Sequence, residues 1–201
     1  MDKHVDLLIV GAGISGIGLA AHLTKHCPQR SFEIIERRDS FGGTWDLFKY
    51  PGIRSDSDMS TFGFNFKPWR KAIVLAVGES IKGYIGEVVD EYKLKDKIHF
   101  NHRVLAANYD SSTKKWHVQI EDANQKIQTW IAIFVLGCTG YYNYDQGFQP
   151  DFPNQEAFKG QLIHPQFWPE NLDYSGKKVV IIGSGATAIT LVPAMAKGGA
   201  G

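Results

Sequence analysis

The sequence predicts an α/β fold, in which a Rossmann-type domain with a parallel sheet and a β-meander precedes the start of a second Rossmann-type domain. An apolar run at 5–10 leads into the glycine motif GAGISG at 11–16, and a second apolar run at 179–182 leads into GSGATA at 183–188. A strand that ends in such a turn and opens a helix begins a βαβ unit. Between the two motifs, apolar runs separated by short polar turns indicate the meander.

The first βαβ unit occupies residues 5–35. A strand is predicted at 5–10, and apolar residues recur at helical spacing from Ile14 to His26. Phe32 to Ile35 form the next predicted strand, and Glu36 stands at its end. Because strand, tight turn, helix and strand follow in this order, the geometry expected is that of a Rossmann fold.

The glycines of the first motif predict a dinucleotide site. Gly11, Gly13 and Gly16 occupy its first, third and sixth positions, which lets the backbone approach a pyrophosphate at a helix N-terminus. Glu36 lies about 20 residues past Gly16, where an acid accepts hydrogen bonds from ribose hydroxyls and repels a 2′-phosphate. The pattern favours the adenosine of FAD or NAD over that of NADP. A glycine turn beside a solvated glutamate is the alternative.

The middle of the chain completes the first sheet. Residues 37–69 are rich in Gly, Pro, Asp, Ser and aromatics without a clean period, and predict an ordered loop. Residues 81–92 carry apolar side chains on one face of a predicted helix. Further strands are predicted at 98–100, 104–109, 116–121 and 127–136. The last is apolar from Ile131 onward, so it is expected to be buried on both faces.

The C-terminal part divides into two segments. Residues 141–175 are proline-rich and predict a linker that packs on the surface. A buried strand at 179–182 and a helix at 187–195 follow, with Pro193 as a weak objection to the helix. The predicted organisation is a first nucleotide-binding domain at 1–140, an interdomain linker at 141–175, and the beginning of a second nucleotide-binding domain at 176–201.

Composition narrows the class of protein. Lys plus Arg number 22 and Asp plus Glu 21 in 201 residues, so charge gives no reason to expect binding to nucleic acid or to an anionic membrane. Cys27 and Cys138 are distant in sequence and lie in apolar settings, which predicts neither a disulfide framework nor a metal site. The N-terminus lacks the pattern of a secretory signal, and no apolar run reaches the roughly 20 residues of a membrane span. We expect a cytoplasmic protein with small-molecule partners.

The loop at 42–58 combines the glycine pair Gly42–Gly43 with Trp45, Tyr50, Arg54 and Asp56. Glycine pairs let the backbone approach a flat ligand, and the other side chains supply stacking and charge. A surface loop whose tryptophan caps the core has the same composition, and composition alone leaves both interpretations open.

The chain resembles the N-terminal part of the class B flavoprotein monooxygenases, which include Baeyer-Villiger and flavin-containing monooxygenases. The resemblance rests on GGTW at 42–45, YPGIRSDSDM at 50–59, GYYNYD at 140–145 and, above all, FKGQLIHPQFWP at 158–169. The last segment resembles the signature FxGxxxHxxxWP of the Baeyer-Villiger enzymes. The chain is most similar to the ethionamide-activating type. Disulfide reductases share the two glycine motifs, but their redox cysteine pair has no counterpart here.

The resemblance implies roles for individual residues. Asp56 matches the family's catalytic acid near the flavin ring, whose partner arginine would lie beyond Gly201. FAD would be bound by Gly11, Gly13, Ile14, Ser15, Gly16, Glu36, Arg37, Gly43, Thr44, Trp45, Asp56 and Val104. NADPH would be bound by Gly183, Gly185 and Ala188, and the hinge signature would comprise Phe158, Gly160, His164, Trp168 and Pro169. A satisfied structural imidazole is the alternative for His164.

The function implied by the resemblance is that of an NADPH- and FAD-dependent monooxygenase. Such an enzyme uses dioxygen and a C4a-peroxyflavin for Baeyer-Villiger oxidation of a ketone or for sulfoxidation of a thio compound. The resemblance covers the N-terminal portion of the longer family members. Three alternatives stay open: a non-catalytic FAD-binding fragment, an N- or S-oxygenating flavin-containing monooxygenase, and a degenerate product that binds nothing.

Overall fold

The computed structural model describes residues 3–201 and divides them into two compact units. The first unit comprises residues 3–46 and Ile81–Gly140, and the second comprises Leu47–Ser80 and Tyr141–Gly201. The chain therefore leaves the first unit after Asp46, returns to it at Ile81, and leaves it again after Gly140.

The first unit is built on a six-stranded sheet with the order β3-β2-β1-β6-β5-β4. Its strands are β1 (Lys3–Val10), β2 (Phe32–Ile35), β3 (Ile98–His99), β4 (Arg103–Asp110), β5 (Lys115–Glu121) and β6 (Ile127–Gly137). The pairs β3–β2, β2–β1 and β1–β6 are parallel, whereas β4, β5 and β6 form an antiparallel meander. The predicted parallel sheet with a meander is confirmed.

Two helices of the predicted lengths accompany this sheet. The helix α1 (Ile14–His26) connects β1 to the parallel β2, as in a βαβ unit. The helix α4 (Gly78–Glu91) precedes β3, and its predicted apolar face is buried, with Ile81, Ile85 and Val88 inaccessible to solvent. The fold of this unit therefore follows from the burial of apolar residues, which recur at helical spacing in the helices and at strand spacing in the sheet, as the sequence pattern predicts.

The prediction that β6 is buried on both faces is wrong. Ala132 is buried, but Ile133 and Phe134 are 38% and 59% exposed, and successive strand residues point to opposite faces. An apolar run shows that a strand can be buried on both faces, but burial also requires other elements to pack against both faces. Among the described residues, nothing fully covers β6 at Ile133 on one face or at Phe134 on the other.

The predicted loop at 37–69 contains two short helices. They are α2 (Thr44–Leu47) and α3 (Met59–Phe62). The carboxylate of Asp58 caps α3 by accepting the backbone N–H of Thr61 at 3.0 Å. Helices of four residues are too short to show an apolar period, which explains why the sequence pattern does not reveal them.

The second unit has a hydrophobic cluster formed by parts of the chain that are distant in sequence. The helix α5 (Ala186–Lys197) includes the predicted helix and continues through Pro193. Leu191 and Met195 are buried in a cluster with Phe48 and Tyr50. Trp168, Tyr174, Val179, Ile181 and Ile53 are among the partly buried residues that pack against it.

The prediction of a buried strand at 179–182 is wrong. Val180 and Ile182 are 85% and 70% exposed, whereas Val179 and Ile181 pack against the cluster of the second unit. The segment therefore alternates like a strand but is not paired in a ladder within residues 3–201. A single strand cannot satisfy its own N–H and C=O groups, so alternation without a neighbouring strand does not make a sheet.

Candidate functional site

The turn after β1 is shaped by two glycines that packing requires. Gly11 has a φ of +107°, and a Cβ there would lie 2.5 Å from the carbonyl oxygen of Cys138. A Cβ at Gly16 would lie 1.9 Å from the carbonyl oxygen of Gly11. A side chain at either position would collide with backbone, so these glycines allow β1, β6 and α1 to approach one another closely.

Gly13 differs from these two because packing does not require it to be glycine. Its φ of −77° is accessible to any residue, and a Cβ would meet the Cα of Gly43 at an ordinary 3.6 Å. It caps α1, which begins at Ile14 and has neither a side-chain cap nor an acidic residue in its first turn. The N-terminal N–H groups and the positive end of the helix dipole are thus available to an anion that approaches the backbone.

Glu36 is joined to the glycine turn by hydrogen bonds. The side chain is buried at the end of β2. Its Oε2 accepts the backbone N–H of Ala12 at 2.8 Å, and its Oε1 accepts that of Arg38 at 2.9 Å. A carboxylate has about four acceptor positions, so capacity remains for hydroxyl donors. The arrangement combines an anion site at α1 with an acceptor for a ribose.

The segment that follows β2 returns to the same turn. The N–H of Gly42 donates to the carbonyl oxygen of Ala12 at 2.9 Å, and Gly43 lies beside Gly13. Both glycines have positive φ, +116° and +57°. Thr44 and the half-buried Trp45 then begin α2. The structure therefore brings GGTW at 42–45 to the glycine turn of the first unit.

An ion cluster beside this segment was not found by sequence reasoning. The buried Asp46 forms an ion pair with Arg38, with Oδ2 2.7 Å from Nη1, and contacts Nζ of Lys82 through Oδ1. Lys82 comes from α4, far along the chain. A single sequence contains no spacing signal for such a cluster, because its members are brought together only by the packing of α4.

Ile14, Ser15, Arg37 and Val104 have different surroundings. Ile14 and the exposed Ser15 are the first residues of α1, next to the cap. Arg37 is exposed immediately after Glu36. Val104 is half-buried at the start of β4, where it pairs with Ile120 and packs against the core of the sheet.

The second glycine motif, in the second unit, repeats the local geometry of the first. Gly183 has a φ of +142°, and Gly185 caps α5 with φ −79° and ψ −176°, close to the −77° and −173° of Gly13. A Cβ at Gly183 or Gly185 would meet nothing within 4 Å. Ala188, in the place of a third glycine, is half-buried in the first turn of α5. The caps of α5 and α1 thus have the same conformation, although no ladder strand among the described residues directly precedes the second turn.

The segment 158–169 forms a set of local contacts in the second unit. A Cβ at Gly160 would lie 2.4 Å from the ring of Phe158, so this glycine makes room for the ring. Nδ1 of His164 accepts the N–H of Gln166 at 3.2 Å and caps the 3-10 turn Pro165–Phe167. One ring nitrogen of His164 thus has a structural partner.

The end of this segment is held by the apolar cluster of the second unit. Trp168 packs against that cluster and edge-on against Tyr174, and the half-buried Pro169 follows it. Gln166 is buried and donates to the carbonyl oxygen of Asn143 at 2.7 Å. The side chain that the signature leaves undefined at 166 therefore ties this segment to 140–145.

Asp56 also lies in the second unit, where its side chain is exposed. Tyr142, from the segment 140–145, packs edge-on against Phe48. Burial and the neighbouring Tyr141 raise the pKa of Tyr142 to about 12, so its hydroxyl stays neutral at physiological pH. The structure supplies no contact that assigns Asp56 a chemical role.

Cys27 and Cys138 are both free thiols. Burial raises the pKa of the Cys138 thiol, which makes it a poor nucleophile at neutral pH. Across residues 3–201, no group of three or more His, Cys, Asp or Glu side chains is arranged to hold a metal ion. In the same part of the chain, none of the helices combines the length and hydropathy that crossing a bilayer requires.

Comparison with known proteins decides the family. The model of the family described as "Flavin-binding monooxygenase-like" matches residues 3–199, almost the entire chain. The chain belongs to this flavin-binding monooxygenase family. Its sequence is similar to the "Probable FAD-binding monooxygenase AlmA" of Acinetobacter baylyi, with 80% identity over 200 residues that cover 100% of this chain and 40% of the relative. It is also 56% identical to the "FAD-containing monooxygenase EthA" of Mycolicibacterium smegmatis over 201 residues, again 100% of this chain and 40% of the relative.

Solved structures agree with this family assignment. The "Oxidized steroid monooxygenase bound to NADP" superposes with a TM-score of 0.83 at 26% identity, over 98% of this chain and 37% of that one. The "Open crystal structure of cyclohexanone monooxygenase" gives a TM-score of 0.83 at 26% identity, over 97% of this chain and 38% of that one. The chain thus spans about 40% of the length of the curated relatives it matches.

The residues of this flavin-binding monooxygenase family member fit a dinucleotide in the first unit. Gly13 lies at a helix N-terminus that has no side-chain cap, and Glu36 has acceptor capacity beside it. The structure brings these residues together with Gly11, Gly16, Gly43 and Trp45. Asp56, the second glycine motif and the segment 158–169 belong to the second unit.

Proposed function

We propose that the chain binds FAD through its first unit and is the N-terminal portion of an NADPH- and FAD-dependent monooxygenase. The observation that carries the proposal is the difference between Gly13 and its two neighbouring glycines. Gly11 and Gly16 are explained by close packing, whereas a Cβ at Gly13 would make only an ordinary contact with Gly43, and Gly13 stands at an N-terminus of α1 that has no side-chain cap. Backbone that stays open at such a point suits a pyrophosphate.

Glu36 selects the nucleotide in this proposal. Two of its acceptor positions are used by the N–H groups of Ala12 and Arg38, which hold the carboxylate in place for a ribose diol. A 2′-phosphate would add negative charge beside a buried carboxylate and is therefore disfavoured. FAD, with an unmodified adenosine ribose, fits the first unit better than NADP does.

The second glycine motif supports an NADPH site in the second unit. Gly185 adopts the same conformation as Gly13, Gly183 has a positive φ like Gly11, and Ala188 follows in place of a third glycine. We assign 1–140 to the FAD-binding domain, 141–175 to an interdomain linker and 176–201 to the beginning of the NADPH-binding domain. The steroid monooxygenase structure to which this chain is similar is bound to NADP, which supports an NADPH site in the family.

The reaction that we propose for the whole protein is insertion of one oxygen atom from dioxygen into a small ketone or thio compound. Bound flavin supplies the redox chemistry and the activation of dioxygen. The residues of this chain bind and orient the nucleotide: Gly13 and α1 hold the pyrophosphate, Glu36 holds the ribose, and GGTW at 42–45 lies beside them. Asp56 is proposed as the acid near the flavin ring, and the segment containing His164 and Trp168 as the hinge.

Titration of the purified chain with FAD, followed by flavin fluorescence and visible absorbance, tests the binding function. We expect saturable binding that ADP displaces and that 2′-phospho-ADP displaces less well, because Glu36 selects the unmodified ribose. FMN, which lacks the adenosine half, should not bind. Absence of saturable FAD binding after reconstitution would refute the proposed site.

Oxygen consumption with NADPH then separates the enzyme from the binding module. Flavin binding together with NADPH-dependent oxygen consumption supports monooxygenase chemistry in this chain. Flavin binding without consumption shows that residues 1–201 bind the nucleotide but do not complete the reaction. Neither binding nor consumption would favour a chain that has lost both functions.

A further inference from the structure

Asp46 is a buried carboxylate held by two cations from different elements. Its side chain is only 7% exposed, with Arg38 Nη1 2.7 Å from Oδ2 and Lys82 Nζ in contact with Oδ1. A charge at this depth is tolerated only when it is paired.

The cluster belongs to a closed circuit of contacts that passes through the glycine turn. The N–H of Ala12 donates to Glu36, whose other oxygen accepts the N–H of Arg38. The Arg38 guanidinium pairs with Asp46, and the N–H of Asp46 donates to the carbonyl oxygen of Gly43 at 3.0 Å. The N–H of Gly42 then returns to the carbonyl oxygen of Ala12. Both polar backbone groups of Ala12 are therefore used by this circuit.

The helix α4 contacts the segment 41–46, which is part of this circuit. Lys82 and Gly86 lie four residues apart on the same face of α4. Lys82 binds Asp46, and a Cβ at Gly86 would lie 3.3 Å from the Phe41 ring, which packs there. The segment 41–46 is thus attached to α4 at both of its ends.

We propose that Asp46, together with Arg38 and Lys82, positions Gly42 and Gly43 beside Gly13 and so sets the shape of the pyrophosphate site. This inference rests on the proposed binding of FAD. The three side chains act through the backbone of 42–43 and are positioning residues. Without the tie to α4, the segment 41–46 would move relative to Gly13, and the nucleotide would lose its preorganised site.

The test compares Lys82→Met with Lys82→Arg and with the control Lys95→Met, which removes an exposed lysine of the same unit. FAD affinity is measured by fluorescence titration. Amide hydrogen exchange of Gly42 is measured without nucleotide, with Ile34 of β2 as an internal reference for global stability. We expect Lys82→Met to weaken FAD binding about tenfold or more and to speed exchange at Gly42 relative to Ile34 by a similar factor, as for loss of a hydrogen bond to a charged group.

Lys82→Arg, which keeps the charge and its donors, should restore most of both properties, and Lys95→Met should change neither. Unchanged exchange at Gly42 in Lys82→Met would overturn the positioning role even if affinity fell, since charge alone would then explain the loss. Unchanged FAD affinity in Lys82→Met, with binding intact in the unsubstituted protein, would also overturn the positioning role.

The unsubstituted protein distinguishes this inference from the proposed function. If it binds no FAD, the proposed function fails, but the exchange rate of the Gly42 amide still shows whether Lys82 positions the segment 41–46. Should Lys82→Met not fold, Lys82→Gln is interpreted in the same way.

Discussion

The carbonyl oxygen of Gly11 occupies the place that a side chain at Gly16 would need, because a Cβ there would lie only 1.9 Å from it. This contact fixes the start of α1 against the end of β1. It also separates the glycines of the turn into two that packing requires and one, Gly13, that it does not. The difference can be tested by substitution.

Gly16→Ala should destabilise the first unit. The added methyl group collides with backbone, which cannot move as a side chain can, and overpacking of this kind costs about 1–3 kcal/mol. Urea denaturation measures the change in the free energy of unfolding. Gly83→Ala is the matched control, because Gly83 lies inside α4 with nothing within 4 Å of a Cβ. The control should gain about 0.5–1 kcal/mol from removal of a helix-interior glycine, and a loss of stability in both variants would contradict the steric explanation.

Gly13→Ala should separate stability from binding. Its Cβ would make only an ordinary contact with Gly43, so we expect the free energy of unfolding to change by less than about 1 kcal/mol. FAD affinity should fall by about tenfold or more, because a side chain at this position hinders the close approach of a pyrophosphate to the backbone. Gly185→Ala makes the same change at the cap of α5 and should leave FAD affinity intact. Equal affinity of Gly13→Ala and the unsubstituted chain would remove Gly13 from the site.

Gly52→Ala should disrupt the cluster of the second unit. Gly52 has a φ of +83°, and a Cβ would lie 2.4 Å from the carbonyl oxygen of Thr190 in α5. Gly176 has a comparable φ of +67° but open space around it. Both alanine variants suffer the backbone strain of about 1–2 kcal/mol, and only Gly52→Ala adds a collision. Amide exchange in α5 should therefore accelerate more in Gly52→Ala than in Gly176→Ala; equal acceleration would show that α5 does not depend on this contact.

The free energy of unfolding should decrease at acidic pH, in part because Glu33 becomes protonated. Burial alone would raise the pKa of Glu33, but hydrogen bonds from His99 and Lys3 outweigh it, and the pKa is lowered from its ordinary value of 4.5. A carboxyl whose pKa is lower in the folded state stabilises the fold above the unfolded pKa, and this contribution disappears as the pH falls through the folded pKa. The loss is therefore expected below about pH 4.5.

Glu33→Gln tests this assignment. The variant should show a shallower decrease of unfolding free energy below that pH, and Lys3→Met, which removes one of the two donors, should lie between it and the unsubstituted protein. The measurement is urea denaturation across a pH series. Superimposable pH profiles of Glu33→Gln and the unsubstituted chain would exclude Glu33 as a source of the acid sensitivity.

The parts of the fold that sequence reasoning predicted are those in which periodicity and turn chemistry agree. The strand at 32–35, the helix that buries Ile81 and Ile85, and the meander all follow from local pattern. The predictions that Phe134 and Val180 are buried are wrong for one reason. An apolar side chain can be buried, but whether it is buried depends on the elements that pack against it. The strand predicted at 179–182 lacks a ladder partner among the described residues.

The candidate site was predictable to a similar extent. Glycine spacing and the position of Glu36 pointed to the turn, because the residues involved are close in sequence. The cluster of Arg38, Asp46 and Lys82 was not predictable, since α4 joins the loop only through tertiary packing. Asp56 and the hinge residues rest on family resemblance and stay predictions.

The second unit is assembled from two stretches of chain that are synthesised at very different times. Phe48 and Tyr50 emerge early, but Leu191 and Met195, which complete their cluster, come almost at the end of the described chain. During synthesis, these early aromatic side chains must therefore stay exposed while the sheet of the first unit is being completed. Long-range closure of this kind slows folding and leaves apolar surface open to aggregation. A ribosome-bound chain that has reached only Gly140 is accordingly expected to be a stronger chaperone client than one that has passed Lys197.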